Sequence, residues 1–229
     1  MTINDVDKIF FLSLAHKPER INNVNNIVSN FNNEFKLNDK IKINYTTLLH
    51  LYDDMDIVNG LHKYFPTYKE NTKHTINMFS CFFNHYNIIA ESYFLKYNYI
   101  LLFEDDVYII DYNKFNTLLK NIPNDADVVQ FVYNPFPTEP ENEHNINVID
   151  ESYINEYYNK ITNLHTASNA CILLSNKVIE SIYNFYVKEK VVYADAYQFT
   201  HQHFLDECNI YMPKTRIIDF QKFGTEITY

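Results

Sequence analysis

Glycine is nearly missing from this chain: Gly60 and Gly224 are the only two among 229 residues. Neither GxGxxG nor GxxxxGK[ST] can be written with them. A Rossmann dinucleotide cradle and a P-loop are therefore excluded, since both need glycine to bring backbone N–H groups against phosphate. No GxSxG nucleophile elbow exists either. Tryptophan is absent, so any stacking on a sugar ring falls to tyrosine or phenylalanine. Positive charge is scarce, with 19 Lys+Arg against 29 Asp+Glu and a formal net charge of −10. That balance argues against nucleic-acid binding through a broad basic face. It is compatible with an anionic ligand where a cation or a few local basic groups neutralise it. The three cysteines, Cys81, Cys171 and Cys208, are far apart and form no CxxC pair. Buried thiols in a reducing compartment are expected, not a disulfide framework or a zinc site. No run of ~20 apolar residues is present, and the acidic start, Met1 to Asp7, has no basic segment before an apolar one. These features predict no transmembrane segment, no signal peptide and a cytoplasmic location.

What is present suits one globular domain over residues 1–229: 46% of residues are apolar and 21% charged. Lys8–Leu14 is a short uninterrupted apolar run, predicting a strand buried on both faces. Pro18 then opens a helical pattern, with Ile21, Val24, Ile27, Val28 and Phe31 three or four apart. Ile41–Leu49 is a second strand by its β-branched alternation, and Thr72 to about Tyr97 is a long helix. Tyr99–Phe103, Asp127–Val132 and Ala170–Leu174 are further strands, the last followed by a helix through Asn176–Val187. Asn134–Asp150 reads as a loop, Asp195–Asp206 as a polar helix or loop, and Arg216–Phe220 as a final short strand. Strands alternating with helices predict an α/β domain with a mostly parallel central sheet flanked by helices.

The chemistry concentrates where the apolar run ends, at Leu101-Leu102-Phe103-Glu104-Asp105-Asp106-Val107. Three adjacent carboxylates repel and raise one another's pKa values, and a divalent cation removes the conflict. On an extended chain Glu104 and Asp106 point the same way, a donor pair for a hard ion such as Mg²⁺ or Mn²⁺ that could also hold a diphosphate. A solvated acidic turn after a strand is the competing interpretation. Arg20 and Lys17 follow the first strand and are either ligand contacts or helix-surface residues. His85 is either a core histidine or a site residue, and of His201 and His203 at most one can ligate if the segment is helical. Asp195 is either a general base or a helix N-cap.

Several segments resemble glycosyltransferase family 25, the lipooligosaccharide and collagen galactosyltransferase-like group. Ile9–Arg20 (IFFLSLAHKPER) is similar to the family's opening strand and "NLdrrpdR" turn, with Ser13 at the Asn position. Ser80–His85 (SCFFNH) resembles its "GCxxSH" motif, with Ser80 at Gly and Asn84 at Ser, and Leu101–Val107 its "LxxEDDv" segment. Ala170–Ser175 with Ala194-Asp195 resembles the later "aYllS" strand and "vD" position, and Gln221–Ile227 a terminal "Q…SDI". The resemblance implies a GT-A-type fold, a nucleotide-sugar donor, UDP-linked, and Mn²⁺ or Mg²⁺. It implies metal ligation by Glu104, Asp106 and His203, donor binding by Ser13, Arg20, His85 and Asp105, and an inverting displacement with Asp195 as base. The expected activity is transfer of a hexose, galactose foremost, to a hydroxyl of a glycan or glycoprotein. A non-catalytic binding domain of the same fold and a metal-dependent hydrolase are the alternatives.

Overall fold

The computed structural model describes residues 1–13, 17–45, 73–132, 156–161, 170–189 and 208–220, with side chains excepted at 73–82 and 186–189. In chain order these form β1 (Lys8–Ser13), α1 (Pro18–Phe35), β2 (Ile41–Tyr45), α2 (Lys73–Phe94), β3 (Tyr99–Glu104) and β4 (Val107–Ile109). There follow α3 (Tyr112–Lys120), β5 (Val128–Gln130), β6 (Tyr158–Ile161), β7 (Cys171–Ser175), α4 (Asn176–Glu189), β8 (Ile210–Pro213) and β9 (Ile218–Phe220). Seven strands make one sheet in the order β2-β1-β3-β7-β5-β8-β6, and β4 pairs with β9 in a separate ribbon.

The sheet is mixed, with one dominant direction. β1 is parallel to β2 and β3, and β5 is parallel to β8. β7 is antiparallel to both β3 and β5, and β6 is antiparallel to β8. Five of the seven strands therefore run one way, and β7 and β6 oppose them. The expectation of a mostly parallel sheet misses the reversal of β7. Its five residues, CILLS, are all buried, and a strand buried on both faces reads the same in either direction.

Period-2 alternation divides the core into two layers. Ile9 and Phe11 of β1 and Leu101 and Phe103 of β3 face α1 and α3, where Val24, Ile27, Phe31, Phe115, Leu118 and Leu119 are buried. Phe10, Leu12, Ile100 and Leu102 face the other way, against Ile88 and Ile89 of α2 and Val178, Ile179 and Ile182 of α4. The result is an α/β/α sandwich. α1 starts at Pro18, whose fixed φ suits a first helical turn, and ends on Lys36 in the left-handed region at φ 60°. Asp111 caps α3 by accepting from the Lys114 N–H at 3.1 Å.

Acidic side chains also bind the amino-terminal edge of the sheet together. Asp7 Oδ2 accepts the N–H of Asn98 at 2.6 Å and of Tyr99 at 3.1 Å, so β1 and β3 enter the sheet in register. Asp127 accepts from Ser175 Oγ at 3.1 Å and from the Asn209 N–H at 2.9 Å, joining β5, β7 and β8. The carboxylates at this edge are satisfied by the protein itself. At the opposite edge the situation differs.

Candidate functional site

Glu104 is the last residue of β3, and Asp105 and Asp106 form a tight turn into β4. The triplet is thus not an extended chain, as the sequence spacing alone suggested; the strand ends on its first carboxylate. Strand alternation carries Leu102 toward α2 and Phe103 toward α1. Continuing it sends Glu104 to the α2 face and Asp105 to the α1 face. Each carboxylate meets a partner from the helix covering its face. His85 of α2, 3% exposed, places Nε2 3.1 Å from Glu104 Oε1. Arg20 of α1, 7% exposed, donates from Nη1 to Asp105 Oδ1 at 2.6 Å, and Asp105 is 3% exposed.

Asp106 is left at the edge. Its Oδ2 lies 3.9 Å from Arg20 Nη1, and its Oδ1 is enclosed without a hydrogen-bond partner among the described residues. Burial is the main force on this carboxyl, followed by the charge of Glu104; Arg20 opposes them, and the pKa is pushed up to about 7. Glu104 weighs on it more than the adjacent Asp105 does.

The turn itself is bracketed by α1. Asn23 Nδ2 donates to the backbone carbonyl of Asp105 at 3.0 Å and to that of Val107 at 2.5 Å, and the side chain is buried. Sequence reading passed over Asn23. The available signal was its place in the stripe Arg20, Asn23, Val24, Ile27 and Phe31: a polar residue on the buried face of an amphipathic helix must find a buried partner. Arg20, for the same reason, is not a helix-surface residue. Ser13 ends β1 beside the turn, since Leu12 pairs with Glu104 and Ser13 with Tyr45. Its hydroxyl is enclosed and has no partner among the described residues.

The structure therefore brings Arg20, His85, Glu104, Asp105 and Asp106 together, with Ser13 one strand away. Asp195, His201, His203, the loop 134–150 and the segment 221–227 lie outside the described residues, as does the side chain of Cys81. Cys171 is buried and Cys208 half-buried, and neither is in a disulfide among the described residues. Among the described residues no group of three or more His, Cys, Asp or Glu side chains is placed to hold a metal ion. None of their helices is long and apolar enough to cross a membrane.

A pair buried like Arg20–Asp105 contributes little net stability when intact and costs much when halved. Arg20→Met should lower unfolding stability by about 3–5 kcal/mol, because it leaves the Asp105 charge buried and uncompensated. The double variant Arg20→Met/Asp105→Leu should recover most of that loss. Urea unfolding of both variants checks this, and a loss below ~1 kcal/mol in the single variant would contradict a buried pair.

No protein-family model matches the chain, and no curated protein matches it. It is an α/β protein with an acidic turn at the carboxyl end of a central strand.

Proposed function

We propose that the chain is a metal-dependent, inverting glycosyltransferase of the GT-A type, using a nucleotide-sugar donor. The observation that carries the reading is the Asp106 carboxylate. It has one enclosed oxygen without a hydrogen-bond partner among the described residues, and burial, followed by the neighbouring Glu104 charge, makes its ionisation unfavourable. A divalent cation would relieve both conditions. Glu104 and Asp106 supply two hard oxygen donors, which suits Mg²⁺ or Mn²⁺, ions that fill their remaining positions with water and substrate phosphate. A third protein ligand is therefore unnecessary, although His203 remains the candidate. In open α/β sheets ligands sit beyond the carboxyl ends of the strands, where this turn is. The resemblance of Leu101–Val107 to the family 25 acidic segment adds the donor class, a UDP-sugar with galactose foremost.

In this reading Glu104 and Asp106 hold the ion, which when bound supplies charge neutralisation for the departing diphosphate. Arg20 and Asn23 fix the turn, and His85 stands beside Glu104. Asp195 takes the proton from the acceptor hydroxyl while the oxygen attacks the anomeric carbon and the bond to the diphosphate breaks. The products are a glycoside and a nucleoside diphosphate. The acceptor is a glycan or glycoprotein hydroxyl.

A panel of UDP-, GDP- and CMP-sugars in a thermal-shift assay, with and without Mn²⁺, tests the donor class. A donor at ~100 times its dissociation constant adds about 2.7 kcal/mol, which raises the melting temperature of a chain this size by roughly 5–10 °C. The expected result is stabilisation by UDP-sugars only with Mn²⁺. No stabilisation by any donor would overturn the reading. The competitor is a non-catalytic binding domain of this fold. Hydrolysis of a UDP-sugar with Mn²⁺ would exclude it.

A further inference from the structure

The geometry points to Asn23 as a positioning residue for the acidic turn, acting on the carboxylates through the backbone. This inference rests on the metal-site reading above and adds to it a residue that no motif marks. A primary amide has two N–H donors, and Asn23 uses Nδ2 on two carbonyls, those of Asp105 and Val107, which flank Asp106. These two contacts straddle the residue whose Oδ1 is enclosed without a hydrogen-bond partner among the described residues. They also tie the turn to the first turns of α1, where Arg20, three residues earlier on the same helix face, holds the Asp105 side chain. Arg20 therefore fixes a side chain and Asn23 fixes the main chain.

The backbone needs such a brace here. β4, the strand that receives the turn, has three residues and pairs in a two-stranded ribbon with β9, in the register Val107 to Phe220. A two-stranded ribbon is marginally stable by itself, so β4 alone does not fix where Asp106 points. With the Asn23 amide in place the carbonyls on both sides of Asp106 are pinned to a helix of the main sandwich. The turn is thereby held in one conformation before any cation arrives. Removing a group that orients a metal ligand typically costs 10–100-fold in metal affinity.

The test uses the full chain and Mn²⁺ alone as the probe. Electron paramagnetic resonance of free Mn²⁺ gives the dissociation constant, and hydrogen exchange over residues 104–108 reports on the turn. Asn23→Ala should weaken Mn²⁺ binding at least about tenfold and speed exchange in that peptide, with far-ultraviolet circular dichroism unchanged. Asn116→Ala is the control, since Asn116 is also buried and accepts from Asn30 Nδ2 at 3.0 Å on the same side of the sheet. It should lower stability yet leave Mn²⁺ affinity within about twofold. If Asn23→Ala does not fold, the wild-type protein still decides. The two side-chain amide protons of Asn23 should be protected from solvent exchange in its NMR spectrum and should shift when Mg²⁺ is added. Unchanged affinity and exchange in Asn23→Ala, or unprotected amide protons in the wild type, would overturn the inference. If the wild type binds no Mn²⁺ at millimolar concentration, the metal-site reading falls, and the exchange measurements still decide whether Asn23 holds the turn.

Discussion

Asp106→Asn is expected to abolish Mn²⁺-dependent donor turnover, by at least about 10²-fold, while making the metal-free protein more stable above neutral pH. The first effect follows from removing a hard anionic ligand and, with it, several kcal/mol of charge stabilisation for the leaving group. The second follows from proton linkage. Burial, followed by the Glu104 charge, pushes the Asp106 pKa up to about 7 in the folded protein, against an ordinary value of 3.8. Between those values the folded state binds more protons than the unfolded state, so its stability falls as pH rises through the window. The loss is complete above pH 7 and amounts to a few kcal/mol, at about 1.4 kcal/mol per unit. Asparagine, always neutral, avoids it. Melting temperatures without metal should coincide near pH 4 and diverge in favour of the variant by pH 8. Equal stability at pH 8 together with full turnover would show that the triplet is only a solvated acidic turn.

Asp195→Asn should cut transfer by about 10²–10⁴-fold and leave donor and metal binding unchanged, because an amide cannot accept the acceptor's proton. The acceptor face of an inverting enzyme needs a carboxylate within ~3 Å of that proton. Asp195 follows the apolar run Val191-Val192-Tyr193-Ala194, in a segment that resembles the "vD" position of glycosyltransferase family 25. If Asp195 is instead a helix cap, the asparagine variant keeps its turnover, since asparagine caps as well as aspartate, and Asp195→Ala costs ~1 kcal/mol of stability. Steady-state transfer rates beside a donor-binding titration separate the two outcomes. An active Asp195→Asn enzyme would shift the base assignment to Asp206.

The elements visible in the sequence were those whose burial is local and periodic. β1, β3 and β7 are uninterrupted apolar runs, and α1, α2 and α4 carry apolar residues at helical spacing, so their positions could be read directly. The missed elements depend on distant partners or are short. β4 has three residues and exists through β9, more than 100 positions away. β6 and β8 make their ladder with each other across 50 residues. α3 is nine residues long, although Asp111 followed by Phe115, Leu118 and Leu119 was a usable cap-and-stripe signal.

The candidate site divides in the same way. Three carboxylates ending a strand announce a problem of charge, and Asp106 bears it out. Their distribution is a tertiary fact. Nothing local to Glu104 or Asp105 says that one will meet His85 and the other Arg20, because that depends on which helix covers which face. Asn23 was hidden for a related reason. Its partners are main-chain carbonyls, which have no sequence identity to match.

Calorimetric titration of UDP into the protein with and without Mn²⁺ decides whether this acidic turn recruits a nucleoside diphosphate through a divalent cation. Saturable binding is expected with Mn²⁺, none with the metal chelated, and none in Asp106→Asn. Equal binding with and without Mn²⁺, or no binding in either condition, would contradict it.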